Sequence, residues 1–211
     1  MTRPPHRLTW LLAIIALIAA IVSAPAVAQD AAPEDPGFET NGALPWEEPS
    51  GALEFIVWEI NDGDTIRVIE PDQEDERDPW WEPVRIIGID TPEKAGPYTD
   101  DECYGKESSA FAASLMPRGT VVYLQVDNDP DIPDNREFLD TGMELDDNDR
   151  WLVHVYLKAE DSEDYYLVSE IMALGGYADV KGYEGNTYFE QELFDAEDLA
   201  RDEGRGMWGA C

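Results

Sequence analysis

Val84-Arg85-Ile86-Ile87-Gly88-Ile89-Asp90-Thr91-Pro92-Glu93 is the stretch on which the reading of this chain turns. From Val84 to Ile89 it is an apolar strand, and Thr91-Pro92 breaks it. Two carboxylates, Asp90 and Glu93, follow just beyond the strand end. Arg85 sits inside the apolar run, where a guanidinium is unfavourable unless carboxylates or a phosphate pair with it.

Upstream, Leu53 to Ile60 reads as a β-rich strand with Phe55, Ile56, Val57 and Trp58. Asn61-Asp62-Gly63 is a hairpin turn signal, and a second strand runs from Asp64 to Ile69. An acidic stretch, Asp72 to Glu82, carries Pro79 and is followed by Pro83, so it reads as a long hairpin loop before the third strand. Downstream, the spacing of Ala110, Phe111, Ser114 and Leu115 predicts an amphipathic helix from Tyr104 to Met116, stopped at Pro117. Thr120 to Val126 is a fourth strand and Trp151 to Leu157 a fifth. Between them lies a polar loop, Asp127 to Asp149, with ten acids and one base, Arg136. Val168 to Leu174 reads as a short helix ended by Gly175-Gly176, and Tyr188 to Glu203 as a final helix ended by Gly204. On that last helix Phe189, Leu193, Phe194 and Leu199 form an apolar face expected to pack in the core. Five strands with a helix inserted after the third predict an α+β chain, a five-stranded OB-fold β-barrel with about three helices.

The chain has 211 residues. Arg3, His6 and Arg7 precede an apolar run from Leu8 to Val22, and Ala26-Val27-Ala28 presents small residues as a signal-peptidase site does. Residues 1–28 are therefore expected to be a signal peptide cleaved before Gln29. The run is shorter than a comfortable bilayer span of about 20 residues; an uncleaved anchor in the cell envelope is the alternative. Residues 29–50 are rich in Pro, Ala, Gly and acids and lack periodicity, so they are expected to form a disordered tether. The folded domain is expected over residues 51–211.

Fourteen basic residues against 47 acidic ones give a net charge of −33. Taken alone, that balance opposes nucleic-acid binding, which relies on lysine and arginine. It fits a solvated, salt-tolerant surface, and any site must be argued from individual residues. Cys103 and Cys211 are the only cysteines. In an exported protein an even count suggests an internal disulfide, with two free thiols or an intermolecular bond as alternatives. The bridge would close a loop of about a hundred residues and contribute ~4 kcal/mol. Beyond the leader only His154 remains, and it lies in the fifth strand. That excludes multi-histidine zinc sites and paired-histidine ribonuclease mechanisms. Hydrolysis would have to rest on carboxylates, arginines and a hard metal.

Each candidate feature has an ordinary reading when taken singly. Asp62-Gly63-Asp64-Thr65 is a common turn, and Asp90-Thr91-Pro92-Glu93 could be a cap. Arg85 and Arg150 could each make a structural ion pair. Together, and with Tyr104-Gly105-Lys106-Glu107-Ser108-Ser109-Ala110-Phe111, Leu167-Val168-Ser169-Glu170 and Gly204-Arg205-Gly206-Met207-Trp208, they resemble the staphylococcal-nuclease (thermonuclease) family from about Leu53 to Gly209. The resemblance implies that Asp64 and Asp90 bind Ca²⁺, with the Thr91 carbonyl as a further oxygen ligand. It implies that Arg85 and Arg150 grip the scissile phosphate. It implies that Glu93 orients and deprotonates the attacking water.

The chain departs from the family just before the second arginine, where Asn148 and Asp149 replace an aromatic or basic residue and a glycine; Asp149 could neutralise Arg150. Tyr183 stands in for one member of a shortened aromatic segment beside the substrate. Asp127, Asp129 and Asp131 alternate like the start of a calcium loop, but Ile132 and Phe138 occupy positions where an EF-hand needs glycine and a bidentate acid.

The function expected from the resemblance is a secreted, calcium-dependent endonuclease acting on DNA and/or RNA, leaving 3′-phosphate products. It is expected to act as a monomer, with no protein partner and no membrane attachment after cleavage. The alternative is a non-catalytic OB-fold module binding nucleic acid or cations.

Overall fold

The computed structural model describes residues 36–96, 100–127, 145–182 and 188–211. The expected signal peptide, residues 29–35 of the expected tether, residues 128–144 of the acidic loop, and Tyr183 lie outside the described residues.

Strand β1 (Leu53–Ile60) pairs antiparallel with β2 (Thr65–Ile69), and β2 pairs antiparallel with β3 (Glu82–Ile86). On its other edge β1 pairs with β5 (Val121–Gln125), which pairs with β6 (Trp151–Lys158). Parallel pairing of β3 with β6, Arg85 opposite Leu152, closes the five strands into a barrel. Closure buries the inward residues of every strand. Ile66, Val68, Val84, Ile86 and Val155 are fully excluded from solvent, each contributing about 2 kcal/mol of apolar burial. The expected α+β barrel is the observed one.

The third strand is shorter than its apolar run. β3 ends at Ile86; Ile87 and Gly88 turn, and Ile89–Asp90 resume as β4. Gly88 adopts φ +89°, a left-handed conformation that ends a strand. The break lets β4 pair with β8 (Asp179–Val180), Asp90 opposite Asp179. Apolar character alone could not show this, because Ile87 and Ile89 are buried on either side of the turn.

Helix α1 (Gly105–Leu115) follows β4, and Met116 beneath its end is fully buried. Strand β7 (Tyr165–Leu167) pairs with β6 and runs directly into α2 (Val168–Leu174). Helix α3 (Glu190–Glu203) ends at Gly204, whose left-handed backbone lets its amide reach Ala200 and Arg201 carbonyls. A last turn, α4 (Met207–Ala210), brings the chain end to α1, where Cys211 is bonded to Cys103.

Residues 36–50 do not form a free tether. Trp46 exchanges backbone hydrogen bonds with Tyr165 (2.7 and 3.1 Å), and its indole donates to Glu170 at 2.8 Å. Phe38 meets Tyr166 edge-on, Asn41 Nδ2 donates to the Ile171 carbonyl, and Ala43 is buried. A few apolar residues suffice for a segment that borrows an existing surface, which composition cannot reveal.

On α3 the expected apolar face is only partly core. Phe189 and Leu193 are buried, whereas Phe194 (39%) and Leu199 (43%) face solvent. His154 is buried, its Nε2 3.2 Å from Asp127 Oδ1 and its ring edge-on to Phe189. It is a packed strand histidine, paired with Asp127.

Candidate active site

The turn between β1 and β2 sets the first carboxylate. Asn61 and Asp62 both donate backbone N–H groups to the Thr65 carbonyl, at 2.9 and 3.3 Å. Gly63 lies so close to Thr91 that a Cβ there would stand 2.6 Å from its methyl group. Thr91 is thereby seated on the turn, and its amide donates to Asp64 Oδ2 at 2.8 Å. The Thr65 hydroxyl donates to Asp64 Oδ1 at 3.0 Å. Asp64 is 2% exposed.

Arg85 lies opposite Thr65 across the β2–β3 ladder. One arm of its guanidinium pairs with Asp64. The other reaches Asp90 Oδ1 at 2.5 Å and the Ile89 carbonyl at 3.0 Å. Carboxylates from two separate strand ends thus converge on the fork of one arginine. Asp90 has a second cation: Lys181, following β8, places Nζ 3.0 Å from its other oxygen.

Arg150 is held by Asp146, not by the adjacent Asp149. Asp146 Oδ2 accepts from Arg150 Nε at 2.6 Å, and Oδ1 accepts the backbone amides of Asn148 and Arg150 at 2.8 and 3.0 Å. Asp149 instead takes a left-handed turn conformation, φ +58°. The remaining arm of this guanidinium reaches the other way: Arg150 Nη1 donates to the Thr65 hydroxyl at 2.8 Å.

Glu93 is exposed, but its backbone is fixed. Its amide donates to Glu102 Oε2 and its carbonyl accepts the Glu102 amide, both at 2.9 Å.

The electrostatics follow from these contacts. Burial pushes the Asp64 carboxyl up to about 6, with neighbouring Asp62 adding to the rise and Arg85 opposing it. Partial burial also pushes Asp90 up, but the pull of Lys181 and Arg85 prevails and holds it below the usual carboxylate range. The partners of Arg85 therefore shift in opposite directions: desolvation dominates for enclosed Asp64, the two cations for half-exposed Asp90. Glu93 is raised by partial desolvation and by the charges of Asp64 and Glu102.

The oxygen chemistry fits a hard cation. Asp64, Asp90 and the Thr91 peptide are oxygen donors, with no sulfur or imidazole among them. Beside them one side-chain oxygen each of Asn61 and Asp62 is buried without a hydrogen-bond partner. Among the described residues no group of three or more His, Cys, Asp or Glu side chains forms a ready metal cage. A cation would rely on these carboxylates with carbonyl and water, and would compete with Arg85.

The structure therefore brings Asp64, Arg85, Asp90 and Thr91 into direct contact, couples Arg150 to them through Thr65, and leaves Glu93 within their electrostatic reach. Thr65, Asp146, Lys181 and Glu102 are participants without an assigned role in the sequence reading. Thr65 was visible inside the turn motif; Lys181 had only the scarcity of bases to mark it.

An OB-type barrel is a frame shared by many activities, so the polar cluster must be compared as well as the fold. The chain belongs to the staphylococcal nuclease homologue family, whose model matches residues 83–210. It is 29% identical over 171 residues to the thermonuclease of Staphylococcus intermedius, covering 80% of this chain and 85% of that protein. It is 28% identical over 154 residues to the thermonuclease of Staphylococcus hyicus, covering 73% and 75% of the two chains. The turn holding Asp64 and Thr65 lies upstream of the family match.

Among the described residues no helix is long and apolar enough to cross a membrane.

Proposed function

We propose that this chain is a calcium-dependent endonuclease hydrolysing phosphodiester bonds of DNA and/or RNA to 3′-phosphate products. The observation that carries the reading is the convergence of Asp64 and Asp90 on Arg85, with Arg150 joined to the same cluster through Thr65.

Asp64, Asp90 and the Thr91 carbonyl would hold Ca²⁺. The ion supplies charge neutralisation at the phosphate and a place for the attacking water. With Asp64 and Asp90 engaged by the ion, Arg85 would present its planar fork to the phosphate oxygens, and Arg150, held by Asp146, would add its charge; both oppose the charge growing there. Glu93 takes a proton from water as its oxygen bonds to phosphorus. The P–O5′ bond breaks, leaving phosphate on the 3′ side and a hydroxyl that takes its proton from solvent. A raised carboxyl pKa makes Glu93 a better proton acceptor. Tyr183 is assigned to the substrate side of the site.

Residues 1–28 are assigned as a signal peptide, and the Cys103–Cys211 bridge supports export to an oxidising compartment. The enzyme is proposed to act outside the cell as a monomer, free of the membrane.

The net charge of −33, which repels a polyanionic substrate and attracts cations, favours a second reading, a non-catalytic OB-fold module that binds cations. Incubating the mature protein with single-stranded DNA in calcium or chelator separates the two. Calcium-dependent cleavage lost in Arg85→Ala, Glu93→Gln and Arg150→Ala supports the enzyme; unchanged rates in all three reject the assignment.

A further inference from the structure

We propose that Glu102 is a positioning residue for Glu93, held in register by the Cys103–Cys211 disulfide. The proposal rests on Glu93 being the base of the reaction above. Glu93 has an exposed side chain in an irregular segment, and its own backbone contacts hold it in place. Its amide and carbonyl form a reciprocal pair with Glu102, side chain to amide and amide to carbonyl. This ties the backbone of Glu93 directly to Glu102.

The tie continues into the helix. Gly105 N–H donates to the Glu102 carbonyl at 3.1 Å, and Gly105 packs directly on the Glu93 carbonyl. A Cβ at Gly105 would stand 2.2 Å from that oxygen, so the first residue of α1 must lack a side chain for the contact to exist. Tyr104, between them, takes φ +73°, an unfavourable conformation for a tyrosine that turns the chain into α1. Cys103, next to Glu102, is bonded to the final residue, whose amide donates to the Met207 carbonyl at 2.9 Å. The position of Glu93 is thereby referred through Glu102 to two helices and a covalent link, rather than left to its own loop. A base must lie within hydrogen-bond reach of the water it activates, and small displacements are expensive in rate.

The test compares Glu102→Ala, which removes the acceptor of the Glu93 amide, with Glu102→Gln, which keeps an acceptor oxygen there. On single-stranded DNA in saturating calcium, Glu102→Ala should lose on the order of 10²-fold in kcat with KM little changed. Glu102→Gln should recover most of that loss. The double variant Cys103→Ser/Cys211→Ser should lower kcat, and adding Glu102→Ala to it should cost less than in the bridged protein, because both act on one constraint. Amide hydrogen exchange at Glu93 supplies a readout independent of turnover: slow in the parent and in Glu102→Gln, fast in Glu102→Ala. Parent-like kcat and exchange in Glu102→Ala would overturn the proposal, as would Glu102→Gln falling as far as Glu102→Ala. A parent that binds calcium yet never cleaves would sink the enzymatic reading, while the exchange comparison would still decide the role of Glu102.

Discussion

Arg150 and Asp64 never touch, yet both hydrogen-bond the hydroxyl of Thr65, one as donor at 2.8 Å and the other as acceptor at 3.0 Å. A single oxygen thus relays the second arginine to the buried carboxylate. Thr65→Val keeps the shape and removes both bonds. It should lower calcium-dependent cleavage about tenfold and destabilise the fold by about 1–2 kcal/mol, the effect of a buried acceptor losing a donor. Thr65→Ser should restore the rate. Initial-rate assays with thermal melts check it, and a Val variant as active as the parent would remove Thr65 from the site.

Arg85 balances two carboxylates in the absence of a divalent ion. Arg85→Ala should destabilise the protein in chelator by roughly 3–5 kcal/mol, because Asp64 is left buried without its counter-ion. A cation bound between Asp64 and Asp90 would compensate. The rise in melting temperature on adding calcium should accordingly be larger in Arg85→Ala than in the parent. Equal rises would place the calcium site elsewhere.

The raised Asp64 carboxyl gives the metal-free protein a defined pH response. Its folded-state value of about 6 exceeds the ordinary 3.8. The native state therefore holds the proton more tightly than the unfolded chain, and this group's stabilising contribution is full below pH 3.8. It is lost as pH rises through about 6, a change on the order of 3 kcal/mol. In chelator, Asp64→Asn should gain stability relative to the parent between those limits and hold a constant difference above them. Denaturant titrations across the interval test this; a difference independent of pH would contradict it.

The strands and long helices could be read from the chain because their periodicity is local. β1, α2 and the Gly204 stop of α3 need no tertiary information, only alternation, spacing and glycine punctuation. Arg85 stood out as a guanidinium in an apolar strand, whereas Asp64, Asp90, Glu93 and Arg150 each had an ordinary reading and were picked out only by the family resemblance of the whole set. What was hidden is tertiary. The partner of Arg150 is Asp146 because the intervening turn folds back, although Asp149 is nearer in sequence. Lys181 reaches Asp90 only because Gly88 splits the third strand and lets β4 pair with β8.

The surface charge sets an unusual salt response. With −33 on the chain, substrate and enzyme repel before the local arginines can act. Cleavage of single-stranded DNA should first accelerate as salt rises towards about 0.1 M, where the Debye length shrinks to about 10 Å. It should slow at higher salt as phosphate contacts weaken. Rates measured over a sodium chloride series at fixed free calcium decide it, a steady fall from the lowest salt being the contrary result.

Trp46 pairs with Tyr165 on the outer edge of β7, where the sheet would otherwise end. The segment before the barrel is thus a lid on an adhesive rim: its backbone occupies positions that a strand from another molecule could take. A version trimmed to begin at Gly51 would bare that rim together with the Tyr166 ring that Phe38 covers. Such a version should form more soluble oligomer than the longer protein at the same concentration, measured by size-exclusion chromatography.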